Sequence, residues 1–181
     1  MDDLTRLALD AADGDRLALT SFVRRTQPEV WRLCAYLVDR QHADDLTQDT
    51  YLRAIKALPS FRAESSARTW LLSVARHTCM DALRATHRRR HLRSRLAAEP
   101  VEHVADATPA SDLHDLIAGL DADRRTAFVL TQVLGLGYAE AAEVVGCPIG
   151  TIRSRVARAR ADLLASSSDE GRDEADGTAA R

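Results

Sequence analysis

Four arginines and no acidic residue lie between Arg153 and Arg160. At about 100° per residue, Ile152, Val156, Ala159 and Leu163 fall within about 60° of one another, a stripe suited to burial. Ser154 and Arg158 lie opposite that stripe, with Thr151 beside them. Arg153 and Arg155 flank the outer face, and Arg160 sits near the edge of the stripe. A guanidinium can hold a guanine edge through two hydrogen bonds, and a hydroxyl can meet a base or a phosphate. Flanking arginines can hold phosphates on either side of a groove. The chemistry is that of a helix that reads DNA. The segment before it agrees: Ala141, Ala142 and Gly146 are small enough for close helix approach, and the turn Gly146 to Gly150 is bounded by glycines. Together they spell a helix-turn-helix.

A second basic run holds six arginines and no acid between Arg84 and Arg95. Alone it is weaker, because basic residues near a helix C-terminus also complement the helix dipole. His87 and His91 stand at i, i+4, the spacing of a metal pair. Arginines fill the three positions between them and no third ligand is evident, so no metal and no cofactor is expected. There is no phosphate-binding glycine loop, nucleophile elbow or HExxH. His77 and Cys79 are near in sequence but point to different sides of a helix. An enzyme is not expected.

The 181 residues carry a formal net charge of −2, so the basic patches are local. Cys34, Cys79 and Cys147 are odd in number and scattered, as expected of reduced, buried thiols. No apolar run approaches the roughly 20 residues of a membrane span, and no basic n-region opens the chain. The expected protein is soluble, cytoplasmic and unable to enter a membrane by itself.

The elements that must position these residues are helices. Hydrophobic residues make up 45% and aromatic residues only 4%, so the core is built from Leu, Val and Ala. An N-terminal domain, 1–95, reads as four helices. The first runs from Leu4 to about Thr26, with a break at Ala12 to Asp15. The second follows Pro28, with Val30, Trp31, Cys34 and Leu37 as its apolar face. The third runs from about Ala43 to Leu58, stopped by Pro59, and the fourth from about Ala67 to Arg90. A linker, 96–111, holds Pro100 and Pro109 and no apolar stripe. In the C-terminal domain, 112–165, Leu113, Leu116, Ile117 and Leu120 open one helix. Asp121 caps the next, which carries Phe128 to Leu134 and ends at Gly135 and Gly137. Short helices follow at Tyr138 to Val145 and Thr151 to Leu164. The tail 166–181 is expected to be disordered. The fold class is all-α: two small helical domains on a flexible linker, the second a helix-turn-helix.

The third helix has two faces. Thr47, Tyr51, Ala54, Ile55 and Leu58 have core spacing. Asp45, Gln48, Asp49, Leu52 and Lys56 share another face, either ordinary solvated surface or a docking site with one leucine at its centre.

At this point a family resemblance becomes visible. Asp44-Asp45-Leu46-Thr47-Gln48-Asp49-Thr50-Tyr51-Leu52-Arg53-Ala54 resembles region 2.2 of bacterial sigma factors. Arg68-Thr69-Trp70-Leu71-Leu72-Ser73-Val74-Ala75-Arg76 resembles their regions 2.3 and 2.4. Gly137 to Ala142 and Cys147 to Arg155 resemble region 4.2. The short linker matches the extracytoplasmic-function group, and the likeness spans about residues 5 to 165.

The resemblance implies roles for particular residues. Asp45, Gln48, Asp49 and Leu52 would dock on the β′ clamp of core RNA polymerase. Phe61, Arg62, Ser65 and Ser66 would hold a base flipped from the promoter −10 element, at a cost of a few kcal/mol that a pocket must offset. Trp70 would act there or be core. His77 would stand near the base-reading loop, and Arg84, Arg88, Arg89 and Arg90 would hold promoter backbone. Thr151, Arg153, Ser154, Arg155 and Arg158 would read the −35 element, their unit also touching the β flap. The linker would thread the polymerase cleft, and an anti-sigma factor is a possible partner. Two departures stand out: family members often carry Asn where this chain has His77, and aromatics are scarce around Trp70, which implies weak strand opening. Two rivals remain at this stage: a stand-alone helix-turn-helix regulator that binds a palindrome as a dimer, and an adaptor that binds protein only.

Overall fold

The computed structural model describes residues 1–96 and 112–176; the side chains of Arg90 and of residues 93–96, 112 and 167–176 lie outside the description. The linker expected over 96–111 falls, but for Leu96, outside it too. Two compact units emerge, Met1–Thr108 and Pro109–Arg181. Among the described residues there is no strand.

In the first unit, α1 (Asp3–Ala12) and α2 (Arg16–Leu37) are separated at the expected break. Gly14, at φ +100°, supplies the left-handed turn. Each helix starts on an aspartate cap: Asp2 accepts from the Thr5 amide at 3.0 Å, and Asp15 from the Leu17 and Ala18 amides at 2.7 and 3.0 Å.

The expected helix start after Pro28 is not there. Pro28 lies inside α2. An interior proline removes one backbone hydrogen bond and crowds the carbonyl four residues earlier. Here Pro28 and Arg24 are both exposed, so water can take the freed carbonyl. The buried stripe Phe22, Thr26, Val30, Leu33, Cys34 and Leu37 runs unbroken across the proline. Burial of each large member stabilises by about 1.5–3 kcal/mol, and together they outweigh the proline's penalty.

α3 (Ala43–Ala57) and α4 (Ala67–Leu96) complete the unit, joined by a 3-10 turn at Leu58–Ser60. α4 extends past the expected Arg90. The core lies where α2, α3 and α4 meet, with α1 packed on α2 and α4. Leu33, Leu37, Leu71, Leu72, Ala75 and Cys79 are fully buried there. Ile55 is not in the core as its spacing suggested: it is 42% exposed. Ala54 and Tyr51 close that side of α3, which leaves Ile55 outside.

The second unit holds α5 (Asp112–Ala118), α6 (Ala122–Phe128) with a π turn at Val129–Val133, α7 (Tyr138–Val145) and α8 (Ile149–Asp176). Asp121 caps α6 as expected, accepting from the amides of Asp123 and Arg124. Leu113, expected on the apolar face of α5, is 53% exposed; Ile117 and Leu120 do the packing. α8 continues to Asp176, beyond the expected end at Leu164 and into the stretch expected to be disordered. Alanines and leucines up to Ala165 favour the helix, and Ser166 Oγ donates back to the Asp162 carbonyl at 3.0 Å. Residues 177–181 lie outside the described residues.

Candidate promoter and polymerase interfaces

The second unit builds a helix-turn-helix from α7 and α8. The Glu140 carboxylate accepts from the Gly137 amide at 2.8 Å and fixes the start of α7. Gly146, at φ +73°, ends α7 in the left-handed region. Its amide donates to the Ala142 carbonyl at 2.8 Å, and so does that of Cys147 at 3.1 Å. An alanine at 146 would be strained by that φ alone. Ala141, Ala142 and Val144 are buried against α8, which seats Ile152, Val156 and Ala159.

That seating turns the expected outer face to solvent. Arg153, Ser154 and Arg158 are exposed and Thr151 is half-buried. Ser154 Oγ donates to the Thr151 carbonyl at 3.0 Å, and a hydroxyl so engaged keeps acceptor capacity outward. Arg155 differs from the others: its side chain is mostly buried and ion-paired with Asp123.

In the first unit the loop before α4 forms a cavity of about 220 Å³, lined by Ser60, Phe61, Arg62, Glu64, Ser65 and Trp70. The rings of Phe61 and Trp70 lie 5.0 Å apart at 41°. Phe61 is buried, and Trp70 is half-buried with one side toward the cavity. Ala63 stands at φ +54°, a conformation that costs a non-glycine residue roughly 1 kcal/mol or more and that clusters at ligand clamps. Such a lining can stack a flat ring and hydrogen-bond its edge.

Ser66 has a structural duty. Its Oγ accepts from the Thr69 amide at 3.1 Å and bonds the Thr69 hydroxyl, which caps α4. From the other side, Thr5 Oγ1 accepts from the Ala67 amide at 3.0 Å. Arg68 and Glu29 form a forked ion pair that ties the start of α4 to α2.

Along α4, His77 is exposed and its Nδ1 lies 2.7 Å from the Ser73 carbonyl. A carbonyl only accepts, so Nδ1 carries the hydrogen, and in that tautomer Nε2 is left as an acceptor. Asp81 bridges Arg53 of α3 at 2.7 Å and Arg84 at 2.8 Å. The two guanidinium groups hold its carboxyl down at about 2. Arg84 is engaged within the unit but stays exposed, as do Arg88 and Arg89. Arg90 lies in the helix; its side chain is outside the described residues.

On α3, Asp45, Gln48, Asp49 and Leu52 all face solvent, and Leu52 is 52% exposed. Ile55, 42% exposed, lies beside Leu52 and enlarges the apolar part of this face beyond the one leucine that its spacing indicates. The ties Arg53–Asp81, Arg68–Glu29 and Arg155–Asp123 join different helices. Their partners are 28, 39 and 32 residues apart, and no local spacing announces them. Among the described residues no cluster of three metal-ligating side chains occurs, and no helix is long and apolar enough to cross a membrane.

Comparison with known proteins places both units. Residues 22–90 match the model for sigma-70 region 2, and residues 110–163 that for sigma-70 region 4. The chain is 54% identical over 169 residues to the ECF RNA polymerase sigma factor SigC of Mycobacterium tuberculosis, covering 90% of each. It is 34% identical over 162 residues to the ECF RNA polymerase sigma-E factor of Haemophilus influenzae, covering 81% of this chain and 86% of that one. Among solved structures it resembles the sigma factor RpoE of Bartonella quintana in complex with the anti-sigma factor NepR. That likeness has a TM-score of 0.68 and 30% identity, over 80% of this chain and 93% of the other. It also resembles CnrH in complex with the cytosolic domain of CnrY, at a TM-score of 0.71 and 26% identity, over 92% and 99%.

Proposed function

The chain belongs to the extracytoplasmic-function group of the sigma-70 family, and on that premise we propose that its two units divide promoter recognition between them. As a sigma factor it binds core RNA polymerase and directs it to promoters to initiate transcription. Residues 112–165 form the region 4 domain, whose α8 enters the major groove of the −35 element. Arg158 and Ser154 meet base edges there, and Thr151 and Arg153 hold the flanking backbone.

Residues 1–95 form the region 2 domain. The cavity lined by Phe61, Arg62, Ser65 and Trp70 receives one base extruded from the −10 element. Trp70 supplies the stacking face, while Arg62 and Ser65 meet the base edge. Phe61 braces Trp70, and Ser66 holds the helix on which Trp70 sits. His77 offers its Nε2 to a donor on the opened strand. Arg84, Arg88, Arg89 and Arg90 follow the promoter backbone. The single observation that carries this assignment is a cavity with an aromatic wall at the start of a helix that ends in arginines.

The α3 face with Asp45, Gln48, Asp49, Leu52 and Ile55 docks on the polymerase β′ clamp, and the region 4 domain touches the β flap. RpoE is solved in complex with an anti-sigma factor, and such a partner of this chain would compete for these surfaces. The chain performs no bond chemistry itself and works in the cytoplasm, where the polymerase is. Permanganate reactivity of unpaired thymines in holoenzyme–promoter complexes tests the division. Trp70→Ala should reduce opening about tenfold or more and spare closed-complex binding; equal loss of both steps would refute the assignment to the cavity.

A further inference from the structure

We propose that Arg155 is a positioning residue that sets the roll of the recognition helix, and that it is not a DNA contact. The inference rests on the reading of α8 as the −35 recognition helix. On the helix wheel Arg153 and Arg155 are nearly equivalent flanks of the outer face. The fold separates them. Arg153 is exposed, whereas the side chain of Arg155 is 23% exposed and its guanidinium is bound on two sides. Its Nη2 donates to Asp123 Oδ2 in the first turn of α6, and its Nη1 reaches Cys147 Sγ at 3.9 Å in the turn between α7 and α8. One planar group on α8 thus ties it to two other segments, the first turn of α6 and the turn that precedes α8.

The orientation needs such a device. The stripe that seats α8 is built from Ile152, Val156 and Ala159, whose apolar burial is non-directional, whereas hydrogen bonds from a guanidinium are directional. Two further polar ties lie C-terminal to Arg155: Arg124 to Asp162 at 2.6 Å, and Arg160 to Gln132 at 2.7 Å. Arg155 is the tie next to the N-terminal turns, the part of a recognition helix that meets base edges. Its donors form a rigid fork, so the direction of α8 is held as well as its distance. The Asp123 carboxylate also cancels the charge of Arg155, so this arginine releases no counterion when α8 meets DNA.

The test uses full-length chain assembled with core polymerase and a promoter duplex recovered with the wild-type holoenzyme from genomic DNA. Closed-complex affinity is measured against salt and against a random duplex, with circular dichroism to check folding. Arg155→Ala and Asp123→Asn should each weaken promoter binding about three- to tenfold and random-duplex binding little, as expected for breaking one coupled pair. The salt slope should stay at the wild-type value. The exchange D123R with R155D should restore specific binding to within about threefold of wild type. Arg158→Ala runs beside them: if it leaves promoter binding unchanged, the −35 reading itself fails. If instead Arg155→Ala lowers the salt slope by about one while Asp123→Asn leaves specific binding intact, Arg155 is a phosphate contact and the inference is overturned. A folded exchange variant that does not recover binding overturns it as well.

Discussion

The Tyr51 hydroxyl meets the Thr26 hydroxyl at 2.7 Å and joins α3 to α2 deep in the first unit. Thr26 also donates to the Phe22 carbonyl at 2.8 Å, so both polar groups are satisfied where water is excluded. Burial pushes the Tyr51 phenol up to about 12. Its folded value exceeds its unfolded value of about 10, so the stabilising contribution is complete below pH 10. It is lost as the pH rises from about 10 to about 12.

Tyr51→Phe should therefore cost about 1 kcal/mol at neutral pH and flatten the alkaline limb of stability. Denaturant unfolding at pH 7 and pH 11 checks both. An undiminished alkaline limb in the variant would mean that another group titrates there.

The Phe61–Trp70 pair makes a second expectation. Stacking of a base on an aromatic ring is worth about 1–3 kcal/mol, so Trp70→Ala should reduce open complex about tenfold or more. Trp70→Phe should restore much of it. Because Phe61 is the buried partner, Phe61→Ala should lower thermal stability as well as opening. Filter-binding and thermal melts separate the two effects.

Arg158 is exposed and opposite the buried stripe of α8. Arg158→Ala should cost about 1–3 kcal/mol on the −35 element and relax its sequence preference at one position. A loss of the same size on random duplex would make Arg158 a phosphate contact. Fluorescence anisotropy with matched and scrambled duplexes distinguishes these outcomes.

The α3 face predicts a protein phenotype. Asp45→Arg with Asp49→Arg should weaken core polymerase binding at least about tenfold, since setting like charges against a complementary partner surface costs several kcal/mol. Both side chains are exposed, so the cost to stability should stay near the roughly 1 kcal/mol that reversing Asp45 in the first turn of α3 takes from the helix dipole. Leu52→Ala with Ile55→Ala should act in the same direction. Unaltered polymerase affinity in both double variants would remove this face from the interface.

Much of this was legible in the sequence because helical periodicity reports burial directly. Ile152, Val156 and Ala159 are buried, and Ser154 and Arg158 are exposed, as the wheel required. Gly14 and Gly146 marked turns that need positive φ. The misses share one cause, which is tertiary context. Pro28 reads as a boundary, yet a continuous buried stripe carries α2 through it. Ile55 has core spacing, yet Tyr51 and Ala54 leave it no room inside. The partners of Ser66 and Arg155, a helix N-terminus and a carboxylate 32 residues away, are likewise not announced by residue type. The π turn at Val129–Val133 arises from the Leu134 amide reaching the Val129 carbonyl at 2.9 Å, a pattern that no residue type signals.

Run-off transcription from genomic DNA by core polymerase with and without this chain tests the central claim most directly. The chain should convert a silent core enzyme into one that initiates at a small set of start sites sharing common −35 and −10 sequences. Start sites unchanged by adding the chain, or a chain that fails to bind core polymerase at micromolar concentration, would contradict it.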